Sequence, residues 1–87
     1  MVKKNFIIVD EVGIHARPAS LLTESVKNFD GKANIYFNER KGNLKSIMSI
    51  MSLGIKKDSE ISIKVDGKEE KTFLAKIEKI LNDNNLI

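Results

Sequence analysis

The chain has 87 residues, with 15 Lys and Arg against 12 Asp and Glu, a single histidine and no cysteine. This length supports one modest hydrophobic core and excludes an enzyme with a deep cleft, so we expect a single domain over residues 1–87. The lack of cysteine excludes a disulfide framework, and one histidine cannot supply the three or four ligands of a zinc site. We therefore expect neither a metal nor a cofactor.

The first strand is predicted at Phe6–Val9, with Phe6 and Ile8 on one face. These four consecutive apolar residues are too few for a signal peptide or a membrane span, which indicates a cytoplasmic protein with no membrane contact. The basic residues behind the net charge of +3 are scattered along the chain. A nucleic-acid-binding protein more often gathers them in one stripe with aromatics among them, so we expect no nucleic-acid partner.

The first helix is predicted from residues 13–19, which read Gly-Ile-His-Ala-Arg-Pro-Ala and hold the only histidine and the only proline. Proline is tolerated in a first helical turn, where its missing N–H would have no partner. The apolar residues that follow have the spacing of one helix face: Ala19, Leu22, Val26 and Phe29. A helix is therefore predicted from about residue 16 to an end near residues 28–31, with His15 at or just before the N-cap.

Three features that favour phosphate coincide at this helix start. Free backbone N–H groups and the positive end of the helix dipole point outwards there, and such a terminus binds phosphate. Arg17 adds a planar guanidinium suited to phosphate oxygens. Together they indicate that His15 is a phosphorylated histidine. The alternative is a surface or N-cap histidine without a function.

The next segment predicts two strands and a short helix. Residues 33–38 alternate between apolar and polar, which is typical of a half-buried strand, and a polar turn leads to a return strand ending near Asn43. A two-turn helix is predicted over Ser46–Leu53, with Ser46 as N-cap and Gly54 as the residue that ends it.

This second helix is too apolar for its length. Its apolar residues cover more of the circumference than one buried stripe can use: Ile47, Met48, Ile50, Met51 and Leu53. Some of them must face water or a partner, and methionine is common at adaptable binding surfaces. The alternative is that Met48 and Met51 fill gaps in the core.

The last two elements are a strand at Glu60–Asp66, with Ile61, Ile63 and Val65 on one face, and a helix at Glu69–Asn82. The order β-α-β-β-α-β-α predicts an α+β fold, an open-faced β-sandwich in which three helices cover one face of a four-stranded antiparallel sheet. The pattern alone leaves the order of the strands in the sheet open.

The motifs at residues 13–19, 43–48 and 51–55 together resemble the HPr family, the histidine-containing phosphocarriers of the bacterial sugar phosphotransferase system, over essentially the whole chain. The resemblance implies the open-faced sandwich with strand order one-four-two-three. It implies that enzyme I takes a phosphoryl group from phosphoenolpyruvate and transfers it to Nδ1 of His15. His15 then passes the group to IIA domains of sugar permeases. Arg17 and the backbone N–H groups of Ala16 and Arg17 would steady the phosphate.

The resemblance also implies regulation, in the manner of the Gram-positive branch. Ser46 matches the serine modified by an ATP-dependent HPr kinase/phosphorylase, and a catabolite-control transcription factor is a further partner of that branch. The surface that docks partners in the family matches Ile47, Met48 and Met51. The protein is expected to be a monomer. Val12 stands where many relatives carry serine or asparagine, so it offers no side-chain hydrogen bond. Rival functions are a purely regulatory binding module, which the presence of His15 disfavours, and a small nucleic-acid-binding domain.

Overall fold

The computed structural model describes residues 1–87 and has the predicted element order. The strands are β1 (Val2–Ile7), β2 (Gly31–Phe37), β3 (Arg40–Asn43) and β4 (Glu60–Gly67). The helices are α1 (Ala16–Ser25), α2 (Ile47–Met51) and α3 (Glu70–Asp83). The strands form one antiparallel sheet in the order β1-β4-β2-β3. The predicted α+β open-faced sandwich and the strand order expected from the resemblance are both confirmed.

The core lies between the sheet and the three helices and contains 20 buried hydrophobic residues. Alternation in β4 turns Ile61, Ile63 and Val65 inwards, and all three are completely buried. The predicted stripe of α1 is also buried through to Phe29, which lies against Phe73 of α3 with ring centroids 4.7 Å apart. This packing fixes one face of α1 against the core, and therefore the direction of its axis.

Several element boundaries differ from those predicted. β1 begins at Val2 and ends at Ile7, whereas the sequence predicted Phe6–Val9. The difference arises because Lys4 occupies a core-side position, opposite Ile63 of β4. Its ammonium reaches the edge of the core, where it pairs with Glu78 of α3 at 2.8 Å and lies over the Phe6 ring. A lysine in that position hides the alternation on which the prediction depended.

The helix ends also differ from those predicted, by one residue at each end of α3 and by three or more residues at the end of α1. α1 stops at Ser25, and Val26 N–H donates to the carbonyl of Thr23 in a tighter final turn. α2 stops at Met51 rather than Leu53, and Gly54 follows with φ of +65°, as expected for the residue that ends a helix. No helix combines the length and the apolar character needed to cross a membrane.

Candidate functional site

A tight loop places His15 at the surface. Within it Gly13 N–H donates to the carbonyl of Asp10 at 3.1 Å, and Val12 N–H donates to the Asp10 carboxylate at 2.9 Å. Gly13 has φ of +80°, and a Cβ there would collide with the carbonyl oxygen of Ile55. That same carbonyl accepts the N–H of Ile14 at 3.2 Å. The loop is therefore held against residue 55, and only glycine fits its turn.

His15 is the N-cap of α1, as predicted, with extended backbone at φ −101° and ψ −171°. Its carbonyl accepts the N–H of Ala19 at 3.0 Å, which is the first hydrogen bond of the helix. Its side chain makes no capping hydrogen bond. Ala16 and Arg17 have no hydrogen-bond acceptor for their backbone N–H groups, and Pro18 has no N–H to offer.

The imidazole of His15 is exposed, and so is the guanidinium of Arg17, which makes neither a salt bridge nor a hydrogen bond in the structure. The two free N–H groups of the first turn are those of Ala16 and Arg17, the two residues that follow His15 in the chain. The helix start therefore offers a nucleophilic ring, two fixed donors and one unpaired cation to solvent. This is the set of groups that an incoming phosphoryl group requires.

An open depression of about 260 Å³ lies beside His15 and Arg17. Residues from three parts of the chain line it: Asp10, His15, Arg17, Pro18, Asp83, Asn84, Asn85 and Leu86. The end of α3 is fixed there because Leu86 accepts the N–H of Val9 at 2.8 Å. The sequence analysis missed this contribution from residues 83–86, since no periodicity or motif links them to a histidine so distant in the chain.

The acidic groups at the depression are partly engaged. Asp83 accepts a hydrogen bond from Lys79 Nζ at 2.8 Å, which raises the pKa of Lys79 above its usual value. Asp10 accepts the N–H of Val12. Each carboxylate thus has a donor of its own, and Arg17 remains the free cation nearest to His15 in the chain. No group of three or more His, Cys, Asp or Glu side chains is arranged to hold a metal ion.

Ser46 is the N-cap of α2, as predicted. Its Oγ accepts the N–H of Ser49 at 3.2 Å, and Ser49 Oγ in turn accepts the N–H of Asn43 at 2.8 Å. At the other end of α2, Arg40 donates to the carbonyl of Ser52 at 2.7 Å. The short helix is therefore held at both ends by side chains from β3 and from its own first turn. Sequence reasoning did not find the role of Arg40.

The apolar residues of α2 divide into two sets. Ile50 and Leu53 are buried, with 1% and 3% of their surface exposed. Ile47, Met48 and Met51 are exposed to 37%, 75% and 40%, and we call these three residues the α2 apolar patch. The core-filling alternative is wrong for Met48. Because α1 packs against α2, the patch lies on the same helical side of the molecule as His15.

Comparisons with known proteins agree with this geometry. A family model described as the PTS HPr component phosphorylation site matches residues 2–83. The phosphocarrier protein HPr of Mycoplasma capricolum is 42% identical over 87 residues, which is 100% of this chain and 98% of the relative.

Two solved structures are also similar. A structure of the histidine-containing phosphocarrier protein of Mycoplasma superimposes with a TM-score of 0.96 at 42% identity, covering 99% of this chain and 98% of the other. The phosphocarrier protein HPr of Bacillus anthracis str. Ames superimposes with a TM-score of 0.82 at 32% identity, covering 91% of this chain and 94% of the other.

Proposed function

The chain belongs to the HPr family of phosphocarriers of the phosphotransferase system, and we propose that it carries the phosphoryl group on Nδ1 of His15. The observation that supports this assignment is the uncapped start of α1. His15 is exposed at the N-cap, and the N–H groups of Ala16 and Arg17 have no partner in the protein.

The chemistry needs little more than this arrangement. Phosphoryl transfer is accelerated mainly by positioning and by stabilising charge on the phosphoryl oxygens. In the accepting step a lone pair of the neutral His15 ring forms a bond to phosphorus, while the bond between phosphorus and the donor group breaks. The free N–H groups and Arg17 then face the oxygens of the transferred group.

A carrier must also give its phosphoryl group away. An open depression lets a partner's acceptor approach from solvent, and exposed donors bind phosphate less firmly than buried ones would. Enzyme I, charged from phosphoenolpyruvate, is the proposed donor, and IIA domains of sugar permeases are the proposed acceptors. The α2 apolar patch would dock against both, because burying its exposed aliphatic and thioether groups favours association.

The direct test is to mix the protein with enzyme I and labelled phosphoenolpyruvate. We expect one equivalent of phosphate, labile in acid and stable in base, as for a phosphorus–nitrogen bond to histidine. Peptide mapping should place it on His15, and a IIA domain should remove it. An acid-stable label, or a label on any serine, would contradict the assignment.

We further propose that an HPr kinase/phosphorylase regulates the carrier at Ser46, and that a catabolite-control transcription factor reads the modified form. Ser46 Oγ is only half-buried and is the residue before Ile47 and Met48 of the patch. A phosphate there adds about −1.5 to −2 charges beside a surface that enzyme I must desolvate. The modification would therefore act on docking rather than on the fold.

Isothermal titration with enzyme I tests this mechanism. Ser46→Asp should weaken binding, with the kinetic loss largely in KM. Ser62→Asp is the matched control, because Ser62 lies on the sheet face that the helices do not cover. Equal affinity for wild type and Ser46→Asp would refute the mechanism. An equal loss of affinity in Ser46→Asp and Ser62→Asp would show that net charge, and not the position of the charge, weakens binding.

A further inference from the structure

Four lysines that are far apart in the sequence meet on the face of the sheet that the helices leave uncovered. The residues that face the core in β2 and β4, such as Ile35 and Ile63, pair with each other in the sheet register. Their neighbours along each strand must therefore point the other way. The basic residues placed on this outer side are Lys3, Lys32, Lys41 and Lys64, and we call them the lysine face.

The lysine face is not neutralised within the protein. None of its four lysines makes a salt bridge or a side-chain hydrogen bond in the structure. Asp66, the acidic residue beside Lys32 in the register, lies 3.7 Å from the N-terminal ammonium. Lys3 and Lys64 are direct register partners on β1 and β4. Like charges directly opposite each other destabilise a sheet, so this pairing has a cost without a compensating contact.

An aromatic ring lies among these charges. Tyr36 of β2 is the direct register partner of Lys41 and of Ser62, and Lys64 lies on the diagonal. Two open depressions meet at this ring: one of about 260 Å³ is lined by Lys3, Tyr36, Ser62 and Lys64. The other, of about 240 Å³, shares Tyr36 and Lys64 and adds Lys32, Asn34 and Lys41 among its lining residues. The half-buried ring is thus supported by the sheet and lies among lysines, with Asp66 as the one acidic residue that lines the second depression.

We propose that the lysine face and Tyr36 bind single-stranded nucleic acid. A base stacks on an aromatic ring regardless of its identity, while lysines on neighbouring strands contact the phosphates on either side. Asn34, on the same face, supplies an amide donor and acceptor for base edges or sugars, and its partner Asn43 adds an amide donor, because Asn43 Oδ1 already accepts the N–H of Lys45 at 2.9 Å. Duplex nucleic acid is disfavoured, because its bases are already stacked and offer no free ring to Tyr36.

Other anionic partners fit the face less well. A membrane surface would also attract lysines, but the face offers only one large aliphatic side chain, Ile7, to enter the lipid. An acidic peptide would satisfy the lysines and leave the aromatic ring without a specific partner. The expectation of no nucleic-acid partner depended on the scatter of basic residues along the sequence. In the folded sheet, however, the strand register brings four of these residues to one face.

This binding would be independent of the proposed phosphate transfer. The lysine face is on one side of the sheet, and the helices that carry His15 and the α2 apolar patch are on the other. Both surfaces are therefore available at once. A variant of the lysine face should accept phosphate from enzyme I at the wild-type rate, which separates failure of this proposal from failure of the carrier assignment.

The test is fluorescence anisotropy with a labelled single-stranded oligonucleotide of about 12 nucleotides at several salt concentrations. The charge variant is Lys3→Gln with Lys64→Gln. Its matched control is Lys27→Gln with Lys71→Gln, two exposed lysines outside the sheet, for the same change of net charge. The stacking variant is Tyr36→Ser, with Tyr36→Phe as the conservative change that keeps the ring.

We expect Lys3→Gln with Lys64→Gln to weaken binding at least tenfold at low salt and to reduce the salt slope by about 1.4, since each phosphate contact contributes about 0.7. Tyr36→Ser should weaken binding about fivefold or more, and Tyr36→Phe should not. Equal losses in the lysine variant and its control would overturn the proposal, as would no binding at low salt. Tighter binding to anionic vesicles, or equal competition by polyglutamate, would assign the face to another partner and would also overturn it.

Discussion

The first turns of α1 and α2 begin alike and differ in one contact. Each N-cap has extended backbone and carries a side chain able to take part in hydrogen bonds. At α2 the hydroxyl of Ser46 accepts the N–H of Ser49. At α1 the third helical residue is Pro18, which has no N–H to be capped, and the ring of His15 makes no such bond. The N–H groups of the first two helical residues have no acceptor in either helix.

Because of this difference, the N-cap side chain stabilises α2, whereas the N-cap side chain of α1 stays available to a ligand. A capping side chain contributes about 1 kcal/mol by satisfying one of the donors that every helix leaves unpaired at its start. α2 has only five residues and uses that stabilisation permanently. α1 has ten residues and a buried stripe, so it forms without a cap and leaves the ring of His15 free for the proposed phosphoryl group. A helix start can leave its N-cap side chain unengaged when tertiary packing makes a cap unnecessary.

The largest expected effect is that of His15→Ala, which should abolish phosphoryl acceptance. The free energy of unfolding should change by no more than about 0.5 kcal/mol, because the ring is exposed and caps nothing. Labelling from phosphoenolpyruvate and a urea denaturation curve measure the two halves of this prediction. Persistent labelling would show that the phosphate is elsewhere. A large loss of stability would show that the ring has a structural role.

Changing Arg17 tests how much the free donors need a cation beside them. Arg17→Ala should lower kcat/KM by about tenfold or more with both enzyme I and a IIA domain. Arg17→Lys should recover only part of this loss, because lysine keeps the charge but not the planar pair of donors. Stability should hardly change in either variant. Wild-type transfer rates for Arg17→Ala with both partners would show that Arg17 is only a solvated side chain with no role in transfer.

A pair of variants in α2 separates its docking side from its core side. Met48→Asp places a charge on a side chain that is 75% exposed, so it should leave stability near wild type and weaken enzyme I binding about tenfold. Ile50→Asp places the same charge at a position that is 1% exposed and should cost several kcal/mol of folding free energy. Urea curves and titration with enzyme I measure both. Strong destabilisation by Met48→Asp would contradict the exposed position.

Local pattern was sufficient for most elements and for the position of His15. The proline, the apolar stripe behind it and the turn before it fix the start of α1 within the sequence itself. The alternation of Ile61, Ile63 and Val65 likewise fixes the buried face of β4, because its neighbours are polar. The excess of apolar residues in α2 indicated an exposed patch, but the selection of Ile50 and Leu53 for burial depends on how the helix packs.

Sequence periodicity did not predict the features that depend on contacts between residues far apart in the chain. Lys4 lies on the core side of β1, where Glu78 and the Phe6 ring receive its ammonium, and the partner that neutralises it, Glu78, is 74 residues away in the sequence. The end of α3 reaches the His15 depression through packing across the whole chain. The lysine face exists only once the sheet register is known, since its members come from all four strands.

The smallest expected effect is also the most direct test of the two helix starts. Ser46→Ala removes the hydroxyl that accepts the Ser49 N–H and should lower the free energy of unfolding by about 1 kcal/mol. For a chain of this size that corresponds to a Tm lower by roughly 5 °C. The Ser49 bond to Asn43 is untouched by this change, so the loss reports the cap alone.

Ser46→Asp is the companion variant, because aspartate restores an acceptor at the same N-cap. Its Tm should return close to wild type, even though its affinity for enzyme I falls. His15→Ala, the equivalent truncation at α1, should show no cost, since that N-cap has no bond to lose. Differential scanning calorimetry of the three variants therefore ranks Ser46→Ala alone as destabilised. If His15→Ala were to cost as much as Ser46→Ala, the two helix starts would be equivalent in energy, and the absence of a cap at α1 could not be what distinguishes the proposed phosphate site.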